Sequence, residues 1–251
     1  MEQDCILETN GLTKTFAGFT AVEDVNLRVR RGAIHALIGP NGAGKTTCFN
    51  LLTKFLEPTS GTIALGGRDI TQRKPADVAR MGLVRSFQIS ATFPHLTARE
   101  NVRIALQRRR GGNFDFWRSK AVLDVFNARA SELLADVGLD GFAHTLAFEM
   151  SYGRKRALEL ATTLALDPQV MLLDEPMAGI GREDVVAIVA LIRRAARGRT
   201  VLMVEHNLKV VSDLCDTITV LTRGRVLAEG DYASVARNAE VRQAYLGSGN
   251  D

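Results

Sequence analysis

Residues 39–47 read G-P-N-G-A-G-K-T-T and match the phosphate-binding loop pattern G-x-x-x-x-G-K-[ST] in full. The apolar run at 33–38 is typical of a buried strand, and the spacing of apolar residues after the loop predicts a helix over 47–55. In this setting the glycines let the loop curl so that its N–H groups point at a phosphate near the positive end of a helix. A glycine-rich turn that carries a lysine by chance is the alternative interpretation.

Every residue of this loop is a candidate for nucleotide binding. Lys45 is expected to reach the β- and γ-phosphates, and the Thr46 hydroxyl can ligate Mg²⁺. The candidate loop residues are Gly39, Pro40, Asn41, Gly42, Ala43, Gly44, Lys45, Thr46 and Thr47.

Length and composition indicate a globular protein with one large domain, or a domain with an inserted lobe. The chain has 251 residues, of which 46% are hydrophobic and 24% charged. No stretch approaches the roughly eighteen apolar residues of a membrane span, and the acidic start is unlike a signal peptide. We therefore expect a cytosolic protein that touches a membrane only through a partner. Three scattered cysteines offer no zinc site.

The net charge of +4 and a basic cluster at 108–110, 118 and 120 raise the question of nucleic-acid binding. A solvated helix end is the alternative interpretation of this cluster. Because no aromatic residues interleave with the basic ones in an RNA-binding pattern, we expect no direct nucleic-acid partner.

The pattern along the chain predicts an α/β fold. Strands are expected at 6–9, 25–29, 62–65, 83–84, 170–173 and 201–204, a hairpin at 218–221 and 225–228, and helices over about 96–139 and 183–197. We expect a P-loop NTPase core with a mostly parallel sheet, an N-terminal antiparallel β-subdomain and an inserted α-helical subdomain. The predicted bounds are 1–88 and 160–251 for the catalytic core and 89–159 for the insertion, within one domain of 1–251.

Asp174 and Glu175 directly follow the predicted strand at 170–173, which is the Walker-B arrangement. Asp174 can hold Mg²⁺ through water, and Glu175 lies where a base could activate a water on the γ-phosphate. An acid pair at a strand end is common, but its position downstream of a phosphate loop favours the functional interpretation.

Two further polar residues follow predicted strands. His206 could hydrogen-bond the γ-phosphate, with a capping or packing histidine as the alternative. Gln88 could position water or Mg²⁺, with a surface glutamine as the alternative.

Ser151 and Gly153 open the helix predicted over 157–166. Ser151 is a plausible N-cap, and Gly153 permits an anion to approach the helix N-terminus. An ordinary N-cap is the alternative. The chain already has a phosphate loop for its own nucleotide. A second helix N-terminus suited to binding phosphate therefore suggests that it contacts the nucleotide of a neighbouring subunit, and hence that the protein forms a dimer.

The phosphate loop, Gln88, Ser151-Tyr152-Gly153, Asp174-Glu175 and His206, in this order, resemble the ATP-binding subunits of ABC transporters over nearly the whole chain. The resemblance implies ATP and Mg²⁺ sandwiched between two subunits, each giving its phosphate loop on one side and its signature motif on the other. It also implies that Lys45 and His206 stabilise γ-phosphate charge and that Phe16 stacks on adenine, with a core aromatic as the alternative. The stretch from Gln88 to Asn101 would meet a membrane subunit.

Residues 79–88, the Ser-Tyr-Gly signature and the ending at 244–247 look like the ATPases of branched-chain (hydrophobic) amino-acid importers. The helical region around 114–117 resembles the longer of their two ATPases. This resemblance implies a peripheral subunit at the cytoplasmic face of the inner membrane. Its implied partners are a second ATPase subunit (a homo- or heterodimer), integral membrane permeases and, indirectly, a periplasmic binding protein.

Two residues depart from the family pattern. Arg154 stands where the signature usually has Gln. Gly181 stands where the loop after Walker B usually has an Asp that helps couple the two nucleotide sites across the dimer.

Three other functions stay open as alternatives. They are an importer ATPase for urea, lipid or aromatic compounds, a soluble ABC-type ATPase acting on nucleic acid or ribosomes, and a P-loop kinase. The last does not explain the signature segment.

Overall fold

A computed structural model describes residues 4–86, 92–108 and 124–246, which form two compact units. The first unit takes the described residues of Met1–Arg85, Gln169–Pro176 and Gly198–Asp251, and the second takes those of Ser86–Pro168 and Met177–Arg197. None of the helices in the described ranges combines the length and apolar content that crossing a membrane requires.

The strands in chain order are β1 (Cys5–Phe16), β2 (Phe19–Val25), β3 (Arg28–Arg30), β4 (Ile34–Ile38), β5 (Ser60–Leu65), β6 (Arg68–Asp69), β7 (Leu83–Ser86), β8 (Val170–Asp174), β9 (Thr200–Val204), β10 (Thr217–Thr222) and β11 (Arg225–Gly230). The α-helices are α1 (Lys45–Leu52), α2 (Pro75–Arg80), α3 (Ala98–Gln107), α4 (Asn127–Asp136), α5 (Tyr152–Ala165), α6 (Arg182–Ala195), α7 (Leu208–Leu214), α8 (Tyr232–Arg237) and α9 (Ala239–Leu246).

A six-stranded sheet positions the site in the first unit. Its strand order is β11-β10-β4-β9-β8-β7, in which β10, β4, β9 and β8 are parallel neighbours and β11 is antiparallel to β10. All residues of β4, β8 and β9 are buried, as expected for parallel strands that are covered on both faces. Because the carboxyl ends of parallel strands meet at one edge, the loops after β4, β8 and β9 gather there.

A second, antiparallel sheet in the same unit has the order β2-β1-β5-β6, with β3 also paired to β1. The prediction of one continuous strand over 25–29 is wrong, because β2 ends at Val25 and β3 begins at Arg28. Asn26 makes the break: its Oδ1 accepts from the Gly11 N–H at 2.8 Å, and its Nδ2 donates to the Asp24 carbonyl at 3.0 Å. The predicted fold class is confirmed by the two sheets together with the helices.

The hydrophobic core of the first unit joins both sheets to α1. Phe49 of α1 is fully buried with Leu7 of β1, Leu37 of β4, Leu172 of β8 and Leu202 of β9. Burying a large side chain of this kind contributes roughly 1.5–3 kcal/mol. The phosphate loop is therefore anchored at both of its ends, to β4 and to α1.

The second unit is helical in the predicted region, where α3, α4 and α5 pack against one another. Thr97 begins α3 with a capping box: its Oγ1 accepts from the Glu100 N–H at 3.2 Å, and Glu100 Oε2 accepts from the Thr97 N–H at 2.9 Å. The aromatics at 114–117 and most of the basic cluster lie outside the described residues.

Candidate functional site

The phosphate loop has a backbone that only glycine accommodates at two of its positions. Gly39 has φ +152°, and a Cβ there would lie 2.1 Å from the Leu221 carbonyl oxygen. Gly44 has φ +99°, and a Cβ there would lie 2.4 Å from the Ala21 carbonyl oxygen. The loop is thus pressed against its neighbouring backbone, and Gly44 delivers the chain into α1 as its N-cap without a side-chain cap. The first N–H groups of α1 are therefore available to an anion.

Lys45 is the buried cation of the loop. Its Nζ donates to the carbonyl oxygens of Gly39 at 2.7 Å and Pro40 at 2.9 Å. Burial lowers the pKa of Lys45, while the carboxylates of Glu175 and Asp174 act in the opposite direction. The charges of both acids predicted from the sequence therefore act on this ammonium group.

Glu175 and His206 form a pair at the edge of the sheet. His206 Nε2 is 2.8 Å from Glu175 Oε1, and their side chains are 44% and 29% exposed. The histidine thus has a hydrogen-bond partner that is also the predicted base, and it is not a buried packing residue. Glu175 is held by its own backbone as well, since its N–H donates to the Val204 carbonyl at 3.0 Å.

Asp174 is buried, and Arg85 of β7 is its ion-pair partner. Arg85 Nη2 donates to Asp174 Oδ2, and its Nη1 donates to Asn50 Oδ1 at 2.6 Å. Sequence reasoning did not identify Arg85 or Asn50. Their only signal in the sequence is position, since Asn50 follows the loop on α1 and Arg85 precedes Gln88 by three residues.

Glu205 is a third residue that sequence reasoning missed. It is buried at the end of β9, and its Oε2 accepts from the backbone N–H groups of His206 at 2.8 Å and Asn207 at 3.0 Å. Asn207 in turn caps α7 by accepting from the Lys209 and Val210 N–H groups. The position of the His206 backbone is therefore fixed by a carboxylate next to it in sequence.

The candidate signature residues lie in the second unit, where Tyr152 forms the best-defined contacts. Tyr152 Oη donates to the Ala178 carbonyl at 2.7 Å and accepts from Arg156 Nη2 at 2.9 Å. Arg156 also pairs with the buried Glu159 at 2.8 Å. Ser151 is the N-cap residue of α5, as predicted, although its side chain makes no capping hydrogen bond. A Cβ at Gly153 would lie 3.3 Å from Asp184 Oδ2.

The departures Arg154 and Gly181 also lie in this unit. The Arg154 guanidinium lies 3.9 Å from the centroid of the Phe142 ring, so it is held by a cation–π contact. Gly181 is the N-cap residue of α6 and has no side chain to bridge a dimer.

The ABC transporter family model matches residues 22–178, which is more than half of the chain. The chain belongs to the ABC transporter family. This ABC ATPase accordingly binds and hydrolyses ATP. A second family model, described as branched-chain amino acid ATP-binding cassette transporter, matches residues 225–251.

Curated relatives resemble the ABC ATPase over almost its full length. It is 39% identical to the high-affinity branched-chain amino acid transport ATP-binding protein BraF of Pseudomonas aeruginosa, over 96% of this chain and 98% of BraF. It is 38% identical to the corresponding protein LivG of Escherichia coli K12, again over 96% and 98%. Among solved structures, the ADP conformation of MJ1267, an ATP-binding cassette of an ABC transporter, has a TM-score of 0.83 at 28% identity and covers 97% and 99% of the two chains.

The remaining predicted residues of this ABC ATPase have separate outcomes. Phe16, at the end of β1, is 40% exposed, with Lys14 Nζ at 5.1 Å from its ring centroid, so it is not a core aromatic. Gln88 lies outside the described residues.

A cavity of about 580 Å³ lies beside the phosphate loop and is bounded on another side by the C-terminal helix α9. Its lining residues include Pro40, Asn41, Glu240 and Gln243.

The oxygen donors at the site suit Mg²⁺. Thr46 is exposed, and Asp174 offers a carboxylate whose charge acts on Lys45, the residue before Thr46. Among the described residues, no group of three or more His, Cys, Asp or Glu side chains forms a metal cluster of its own. Mg²⁺ commonly binds through one or two protein oxygens together with substrate phosphates, and Thr46 with Asp174 fits that pattern.

Proposed function

We propose that this ABC ATPase is the energy-supplying subunit of an importer for branched-chain or other hydrophobic amino acids. The observation that carries the proposal is identity of 38–39% to BraF and LivG over 96% of the chain, together with the branched-chain family model at residues 225–251. We further propose that it acts at the cytoplasmic face of the membrane, as a dimer bound to permease subunits, and is served indirectly by a periplasmic binding protein.

In the proposed site, each described residue has one task. Lys45 and the loop N–H groups hold the β- and γ-phosphates, Thr46 and Asp174 hold Mg²⁺, and Glu175 takes a proton from the attacking water. His206 orients the Glu175 carboxylate through the 2.8 Å contact, and it would hydrogen-bond the γ-phosphate. Bound Mg²⁺ would supply charge neutralisation on the phosphate oxygens.

The dimer is part of the proposal because the signature residues lie at a separate helix start. Ser151 and Gly153 at the N-terminus of α5 would complete the site of the second subunit. A solved cassette, MJ0796 bound to ADP and Pi in a post-hydrolysis state, is described as dimeric and matches with a TM-score of 0.76 at 25% identity. ATP-driven closure of such a dimer would move the permeases, and hydrolysis would reset them.

Two substitutions test the nucleotide chemistry. Glu175→Gln should bind ATP and accumulate as an ATP-bound dimer in size-exclusion chromatography, because the base is lost while the loop is intact. Lys45→Ala should lose ATP binding. If Glu175→Gln hydrolyses ATP at the parent rate, the role assigned to Glu175 is wrong. If Lys45→Ala binds ATP with unchanged affinity, the assignment of the phosphate loop is wrong.

The transported substrate is tested by reconstitution with permeases and a binding protein, to be sought among the genes beside the one that encodes this chain. We expect leucine-loaded binding protein to stimulate ATP hydrolysis in proteoliposomes, with unloaded binding protein as the control. Stimulation by urea, a lipid or an aromatic compound instead would assign another importer class. Salt-dependent binding to RNA or DNA without a membrane partner would favour a soluble ABC ATPase.

A further inference from the structure

Arg85 connects three parts of the candidate site that are far apart in sequence. Its guanidinium bonds Asp174 at the end of β8 and Asn50 on the phosphate-loop helix α1, and it lies 5.9 Å from the centroid of the Phe49 ring. The Arg85 side chain is 11% exposed, and that of Asp174 is 1% exposed. A carboxylate with so little access to water is oriented by the protein groups that it bonds.

We infer that Arg85 is a positioning residue for magnesium: it fixes the orientation of the Asp174 carboxylate relative to the phosphate-loop helix. This inference rests on the proposed role of Asp174 in holding Mg²⁺. The bond to Arg85 uses only one oxygen of Asp174, Oδ2, so Oδ1 is not engaged by the guanidinium. The bond to Asn50 fixes the arginine itself, because the two Nη groups of a planar guanidinium move together.

The alternative role for Arg85 is competition, in which its guanidinium replaces Mg²⁺ as the cation beside Asp174 and lowers the affinity for the metal. The contacts favour positioning, because the guanidinium is held from the other side by Asn50 and packed over Phe49, and neither contact needs to break for a metal to approach Oδ1. The two roles predict opposite changes in the response to Mg²⁺ when Arg85 is removed.

The test compares the affinity of the full chain for a non-hydrolysable ATP analogue in Mg²⁺ and in EDTA. The measured quantity is the gain in affinity that Mg²⁺ provides. Groups that hold a metal ligand from behind typically contribute 10–100-fold to metal affinity. For Arg85→Ala we expect the Mg²⁺-dependent gain to fall by about 10-fold or more, whereas a purely structural role would lower affinity in Mg²⁺ and EDTA by the same factor.

Further variants separate charge from geometry. Arg85→Gln keeps much of the side-chain volume and carries the test if Arg85→Ala does not fold, with the same expected loss. Arg85→Lys keeps the charge without the planar fork and should recover part of the gain. Arg80→Ala is the matched control, since that exposed arginine pairs with Asp77 on the surface.

Asp174→Asn in the same titration tests the proposed magnesium role of Asp174 separately from the positioning role of Arg85. If Asp174→Asn retains the full Mg²⁺-dependent gain, the proposed magnesium role of Asp174 is wrong. If Asp174→Asn loses the gain while Arg85→Ala and Arg85→Gln retain it, the inference about Arg85 is wrong and the proposed function stands. A larger gain in the Arg85 variants would overturn positioning in favour of competition.

Discussion

Glu175 has a backbone conformation that is unfavourable for its residue type. Substitutions at this position should therefore change both the stability of the protein and its ATP turnover. Its φ is +46°, in the left-handed region, where a residue other than glycine is destabilised by roughly 1–2 kcal/mol. The residue directly follows β8, and its N–H is bonded to the Val204 carbonyl at 3.0 Å. The surrounding sheet therefore imposes the conformation that presents the carboxylate to His206.

The effect of the backbone strain on the stability of the folded protein is obtained by comparing Glu175→Gly with Glu175→Gln. Both variants lose the carboxylate, so their difference reports on the backbone. Glycine removes roughly 1–2 kcal/mol of strain but adds about 0.5–1 kcal/mol of backbone entropy in the unfolded chain. We therefore expect Glu175→Gly to be more stable than Glu175→Gln by about 0.5–1 kcal/mol, which corresponds to a higher Tm by roughly 1–4 °C in a chain of this size.

The assay is thermal unfolding followed by circular dichroism, with ATP turnover measured on the same samples. Both variants should lose turnover, because neither side chain can accept the proton from water. Glu132, in the exposed middle of α4, is the matched control: there Gly should be less stable than Gln by about 1 kcal/mol, because the helical φ suits both residues and glycine gains nothing. A Glu175→Gly protein less stable than Glu175→Gln would refute the strain argument.

Three further substitutions test other contacts. Tyr152→Phe keeps the ring but removes the Oη donor to the Ala178 carbonyl, so we expect about 1 kcal/mol less stability in urea unfolding; an unchanged midpoint would contradict the contact. His35 is buried with a pKa lowered to about 4, mainly by burial, so between pH 6.5 and 4 the unfolded chain binds a proton that the folded chain does not. Stability should fall by about 3 kcal/mol as the pH falls through that window, and the fall should be absent in His35→Gln. Gly44→Ala would place a Cβ 2.4 Å from the Ala21 carbonyl, so we expect at least about a tenfold loss of ATP-analogue affinity by fluorescence titration; wild-type affinity would refute the close packing.

The parts of the fold that could be predicted are those that depend on local sequence. The run at 33–38 became β4, and the run at 170–173 became most of β8, because continuous apolar residues of that length are satisfied only by burial on both faces. The phosphate loop was predictable for a different reason: a backbone with φ near +99° at Gly44 admits little but glycine.

The contacts that could not be predicted join residues that are distant in sequence. Arg85 and Asp174 are separated by 89 positions, and nothing near either residue indicates the pairing, which depends on how β7 and β8 are placed in one sheet. Tyr152 and Ala178 are a similar case within the helical unit, 26 positions apart. Sequence motifs thus named the residues expected to touch nucleotide, while the residues that support them emerged only from the fold.

The charged side chains proposed to act on nucleotide all have a partner within the chain itself. Lys45 bonds two carbonyls of its own loop, Asp174 bonds Arg85, and Glu175 bonds His206. When Lys45 contacts phosphate oxygens, it therefore exchanges one set of hydrogen bonds for another, and the net gain of such an exchange is far smaller than that of a new bond to a bare ammonium. An ATPase that must release its product in every cycle benefits from this arrangement, since preorganised groups lower the barrier to hydrolysis while exchange limits the affinity for ADP and phosphate.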